Sequence, residues 1–132
     1  MRLLCFDPGE TTGIAKFVNN ELVWWRDTEL WYGIEELIQF GDQVVYEGVF
    51  WHGPHFNPIG LKVIGVIEYL CKKNGCGVFP QSSGSIVGIK KWPIYDFTSI
   101  KSQHSIDAIC HGIYRIGPNK VILPKNFITE EA

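Results

Sequence analysis

Asp7 closes a short apolar-rich run, Arg2 to Phe6, and is followed by Pro8-Gly9, with a further turn glycine at Gly13. Glu47 closes a second strand-like run, Gln43 to Tyr46, while His104 and Asp107 lie three apart at the start of the last helical pattern. If the two runs are parallel neighbouring strands, their acidic ends meet at the carboxyl edge of the sheet, where open α/β sheets bind ligands. Carboxylates that converge there repel each other unless a cation sits between them. The chemistry these residue types suit is therefore the binding of a divalent cation, with Asp7, Glu47, Asp107 and His104 as candidate ligands.

Each of these residues also has a plainer use. An aspartate before Pro-Gly commonly bonds its own turn, and Asp107 in a first helical turn favours the helix dipole. His104 alone would pass for a surface histidine. Glu47 resists such a reading, because a carboxylate among buried strand residues is costly unless it is paired, with a lysine ion pair as the alternative to a metal. His111 follows Asp107 by one helical turn, which suits either a supporting partner of the site or an ordinary helix residue.

The elements that must position these side chains can be read from periodicity. Leu3 to Phe6 is continuously apolar, as in a central strand covered on both faces. Ile14 to Val18 and Glu21 to Trp25 flank Asn19-Asn20, and asparagine tolerates the positive φ of a two-residue hairpin. Thr28 is placed to cap a helix with Leu30, Ile34, Leu37 and Ile38 on its apolar face and Gly41 as its stop. An aromatic-rich loop from Phe50 to Phe56 leads to Asn57-Pro58, a cap followed by proline at the first helical position. The helix from Ile59 to Lys73 has a broad apolar stripe, widened by Ile64 and Cys71, that suits both a core and a partner chain. Gly77 to Phe79 reads as a fifth strand, Gln81 to Ser102 as a loop with at most one helical turn, and about Gln103 to Ile116 as the last helix. That helix buries Ile106, Ile109, Cys110 and Ile113, and groups His104, Asp107 and His111 on its other side. The order βββαβαβα predicts an α/β fold, a five-stranded mixed sheet flanked by helices, with residues 1–132 as one domain.

Composition narrows the function. A net charge of -2 and a pI near 6.1 argue against a protein that coats nucleic acid without selectivity, because that mode needs broad phosphate neutralisation. Local basic patches remain, at Lys90-Lys91-Trp92 with Lys101 and at Lys62, Lys72 and Lys73. The four cysteines, Cys5, Cys71, Cys76 and Cys110, show no close pair and read as buried free thiols. The opening apolar run is too short for a signal peptide or a span, so a cytoplasmic protein with no membrane attachment is expected.

With these residues placed, the chain resembles the RuvC family of Holliday-junction resolvases, within the RNase H-like nucleases. The opening strand of that family reads D-P-G before a threonine- and glycine-containing turn, here Asp7-Pro8-Gly9-Glu10-Thr11-Thr12-Gly13. Its second site residue is a glutamate ending the fourth strand, here Glu47, and its last helix carries [DH]-x-x-D-A, here His104 to Ala108. The resemblance implies an RNase H-like fold and a divalent-metal-dependent endodeoxyribonuclease acting on four-way or other branched DNA as a homodimer. It implies two Mg²⁺ ions per site, Mn²⁺ serving as well, with Asp7 bridging them, Glu47 and Asp107 holding one each, and His104 completing the set. Phe50, Trp51 and Phe56 would stack on unpaired bases, at ~1–3 kcal/mol per base, and Lys90 and Lys91 would contact phosphates. The segment between the fifth strand and the last helix is shorter than in bacterial members, which points to a compact, virus-encoded relative. Two other readings stand beside this one: an RNase H-like nuclease for other DNA or RNA structures, and a non-catalytic nucleic-acid-binding scaffold. An actin-like ATPase shares the Asp-x-Gly turn but needs a chain over twice as long.

Overall fold

A computed structural model of the 132-residue chain describes residues 1–48 and 58–129. Phe50, Trp51, Phe56 and the expected helix cap Asn57 lie outside the described residues. Three antiparallel strands open the fold: β1 (Arg2–Asp7), β2 (Thr11–Val18) and β3 (Glu21–Glu29). Asn19 and Asn20 make the β2–β3 turn with φ of 50° and 70°, the left-handed pair that matches strand twist. A short helix, α1 (Ile34–Leu37), leads to β4 (Gln43–Glu47), which runs parallel to β1. The helix α2 (Pro58–Lys73) then crosses to β5 (Gly77–Gln81), parallel to β4 and carrying Pro80 at the sheet edge. The strand order is β3-β2-β1-β4-β5. A 3-10 turn (Ser83–Ile86), α3 (Val87–Lys91) and α4 (Gln103–Ile116) complete the helices that bear on the site.

Successive strand side chains point to opposite faces, so each strand feeds two cores. Leu3 and Cys5 of β1 join Ala15, Phe17 and Val45 under α4, whereas Leu4 and Phe6 join Ile14, Val44 and Tyr46 under α2. Fully buried Ile109 and Ile113 fasten α4, each worth ~1.5–3 kcal/mol by area. Val63 and Ile67 do the same for α2. Continuing the alternation, Asp7, Gly13, Glu47 and Gln81 all fall on the α4 side. The position of α4 along the sheet therefore decides what the strand-end carboxylates meet.

Two glycines let that helix come close. A Cβ on Gly13 would lie 2.0 Å from the carbonyl oxygen of His104, and one on Gly112 would lie 2.1 Å from the ring of Phe17. Neither space exists for an alanine.

Several elements differ from the sequence reading. Thr28 caps no helix: β3 continues through it, with Thr12 opposite Thr28 and Thr11 opposite Glu29. Leu30 (φ 51°) and Gly33 (φ 81°) then turn the chain, so that helix begins only at Ile34. Tertiary strand pairing has overridden a local helical pattern. β5 runs on to Gln81, and the stretch read as a loop holds the 3-10 turn and α3. Ile64 and Cys71, which widened the α2 stripe, face the core, leaving Ile59, Leu61 and Tyr69 as large exposed side chains of that helix. Cys5, Cys71 and Cys110 are buried free thiols, as expected, and Cys76 is half-buried. No helix among the described residues is long and apolar enough to cross a membrane.

The glycine contacts give a pair of opposed expectations. Gly13→Ala and Gly112→Ala should each destabilise the fold by ~1–3 kcal/mol, because α4 or Phe17 must shift to admit a methyl group. Gly65→Ala, on the exposed face of α2 with open space at its Cβ, should stabilise by up to ~1 kcal/mol. Urea unfolding of the three variants checks this, and a Gly13→Ala midpoint equal to the wild type would mean that the helix does not sit where described.

Candidate metal centre

The site is assembled by backbone that has little freedom. After Asp7 the chain turns through Pro8-Gly9, where buried Thr12 accepts from the Gly9 amide at 3.3 Å and donates to the Gly9 carbonyl at 3.2 Å. That turn fixes the exit of β1. β4 lies next to β1 in parallel register, Phe6 opposite Tyr46, so Asp7 and Glu47 leave the sheet side by side. The Ser102 hydroxyl accepts from the Ser105 amide at 3.4 Å and caps α4, while the Ser105 hydroxyl donates to Asp27 of β3 at 2.7 Å. Both bonds anchor the first turn, which carries His104 and leads into Asp107.

Asp7, Glu47 and Asp107 converge so that one carboxylate oxygen from each lies within 4.8 Å of the others. Each carboxylate is also held through one oxygen by a neighbour. His104 Nδ1 lies 3.1 Å from Asp7 Oδ2, and His111 Nε2 lies 3.1 Å from Glu47 Oε1. Asp107 Oδ1 accepts from Gln103 Nε2 at 2.9 Å and pairs with Lys90 Nζ at 2.8 Å. The three open onto a cleft of about 740 Å³, lined also by Gly9, Thr11, Glu29, Gln103 and His104. A second hollow of about 410 Å³ shares Glu47 and Asp107 and is walled by Ser83, Lys90 and Lys91.

The electrostatics are those of a site short of positive charge. Burial pushes the Asp7 carboxyl up to about 7, and the nearby charge of Glu47 adds to the shift, while the hydrogen bond from His104 works against it. A buried carboxylate with a second one beside it gains most from a cation. The donor set is all hard oxygen in the triad, with imidazole at its rim, which suits Mg²⁺ or Mn²⁺ better than a soft metal. The residues present fit a divalent ion.

No protein-family model matches the sequence, and no curated protein matches it at a significant level. Solved structures do match. Thermus thermophilus RuvC in complex with a Holliday junction substrate superposes with a TM-score of 0.61, covering 86% of this chain and 91% of that one at 12% identity. The fold is that of RuvC. A second structure of Thermus thermophilus RuvC gives the same TM-score and coverage of this chain, with 92% of its own length matched at 10% identity. At such identities the likeness to RuvC is one of fold, and it agrees with the resemblance read from the three motifs and with the five-stranded mixed sheet expected for them.

The sequence-derived ligands divide within this RuvC-like frame. Asp7, Glu47 and Asp107 meet, whereas His104 stands outside the group of three and is bonded to Asp7, with its side chain about half exposed. His111 is not grouped with His104 on an open side of the helix: it is fully buried against Glu47 and Gln81. α4 is covered over a wider arc than its isoleucines alone imply, since Ser105, Ala108 and Gly112 are buried too. Lys90 touches the site directly and Lys91 lines the adjoining hollow. Sequence reading missed Gln81 and Gln103; Gln81 was findable only through the β4–β5 register, in which it pairs with Glu47.

The raised Asp7 pKa carries a sign. Between about pH 4 and pH 7 the unfolded carboxyl is ionised while the folded one keeps its proton, so the metal-free protein loses stability as pH rises through that window and levels off above about 7. The loss amounts to at most ~4 kcal/mol. Asp7→Asn should therefore melt above the wild type at pH 8 in EDTA, with the gap closing towards pH 4. Mg²⁺ at pH 8 should raise the wild-type melting temperature and leave that of the variant unchanged. A gap independent of pH would contradict the account of burial and repulsion.

Proposed function

We propose that the chain is a structure-selective DNA endonuclease that cleaves four-way or other branched DNA, with residues 1–132 forming one nuclease domain. The single observation that carries this reading is the convergence of Asp7, Glu47 and Asp107, from three separate elements, on a RuvC-like fold. In the proposal these three carboxylates hold two divalent cations and His104 completes the set. The ions, when bound, supply charge stabilisation at the phosphate and a nucleophilic water at neutral pH.

The chain's own residues do the rest. Asp7, fixed by the Gly9–Thr12 turn, lines the cleft, and its closeness to both Glu47 and Asp107 suits a bridging ligand. Lys90 and Lys91, beside Asp107, are the proposed phosphate contacts, and Phe50, Trp51 and Phe56 the proposed stacking residues. Lys90 pairs with Asp107, so a phosphate brought to the cleft would compete for the same ammonium. The exposed Leu61 and Tyr69 of α2 are the proposed contact with a second copy.

A labelled four-way junction incubated with Mg²⁺ or Mn²⁺, beside a linear duplex of the same sequence, tests the proposal. The wild type should cut the junction with either ion and leave the duplex largely intact. Asp7→Asn should bind the junction yet cut it at least ~100-fold more slowly, since the ions are worth several kcal/mol in the transition state. Retention of more than about a tenth of the rate would rule out Asp7 as the bridging ligand.

A further inference from the structure

We propose that His111, backed by Gln81, is a positioning residue for Glu47: it occupies one carboxylate oxygen and so determines which oxygen is offered to a cation. The inference rests on the reading of Glu47 as a metal ligand. His111 is fully buried in the core beneath α4, and both ring nitrogens meet polar side chains. Nε2 lies 3.1 Å from Glu47 Oε1, and Nδ1 lies 2.7 Å from Gln81 Oε1. An ionised carboxylate only accepts hydrogen bonds, so Nε2 carries the proton it shares with Glu47. The Gln81 side chain offers a carbonyl and an amide to Nδ1, and so anchors the ring in either role.

The three groups are brought together by the fold. Glu47 and Gln81 are partners in the parallel β4–β5 register, on the face covered by α4, and His111 enters from that helix. An inert core histidine needs partners for its nitrogens, but nothing requires one of them to be a carboxylate of the acidic triad. Glu47 has a long side chain ending a strand, and among the described residues no other side chain bonds to its carboxylate. Without His111 its rotamers would be set by solvent and by repulsion from Asp7. Outer partners of this kind orient ligating carboxylates, and their loss costs 10–100-fold in metal affinity.

The test uses two variants that remove the ring at similar cost to the core. The amide nitrogen of glutamine reaches about where Nε2 stood, and that of asparagine only to where Nδ1 stood. Mn²⁺ alone is titrated into the full chain and bound ion is measured by electron paramagnetic resonance, with melting in EDTA recorded in parallel. The expected result is that His111→Gln binds Mn²⁺ within about threefold of the wild type, while His111→Asn binds at least ~10-fold more weakly at a similar melting temperature. Equal affinities in the two variants, whether both intact or both impaired, would overturn the positioning role and leave the metal reading standing. A wild type that binds no Mn²⁺ at millimolar concentration would overturn both. If neither variant folds, Gln81→Leu decides, because it frees Nδ1 while leaving Glu47 and His111 in place: an affinity loss of threefold or more supports the role, and an unchanged affinity overturns it.

Discussion

The site depends on how closely α4 can approach the sheet. Gly13 on β2 leaves room for the backbone of His104, and Gly112 on α4 leaves room for the ring of Phe17, so the helix is seated at two points along its length. Seated there, its second turn brings Asp107 to Asp7 and its third brings His111 to Glu47. The contribution of the sheet is the period-2 alternation that turns Asp7, Glu47 and Gln81 to this same face. Close-packed interiors pass such displacements on, and a helix lifted by the width of a methyl group would part the third carboxylate from the other two.

Bringing carboxylates together at a half-dry sheet edge sets function against stability. Asp7 is both buried and next to Glu47, and both conditions disfavour its charge. The protein meets this with single-oxygen contacts: His104 on Asp7, His111 on Glu47, and Lys90 with Gln103 on Asp107. These contacts moderate the repulsion without removing it, since the Asp7 carboxyl stays raised despite its bond to His104. Repulsion of this kind is what a cation bound among the carboxylates would relieve.

Much of this arrangement was legible in the chain. Asp7 and Glu47 each follow an apolar run that a central strand requires, and Asn19-Asn20 and Gly41 mark turns where the backbone does adopt positive φ. The helix containing Asp107 was bounded correctly at both ends. Contacts between residues distant in sequence were not legible. Lys90 belongs to a basic run whose ion pair with Asp107 depends on where α3 lies, and His111, which its spacing leaves as either a supporting partner of the site or an ordinary helix residue, is assigned to Glu47 only by the way α4 is laid on the sheet. The β3 extension failed for a related reason: the pairing of Thr28 with Thr12 is a tertiary fact, and it outweighed a local helical pattern.

Pro80 bears on how the molecule can associate. β5 is the outer strand, and at Pro80 it has no amide hydrogen to offer a further strand. Edge strands interrupted in this way resist pairing with the sheet of another molecule, the route by which exposed edges nucleate aggregates. On that side the sheet of the described residues is blunted, and a second molecule would meet it more readily through helix or loop surface.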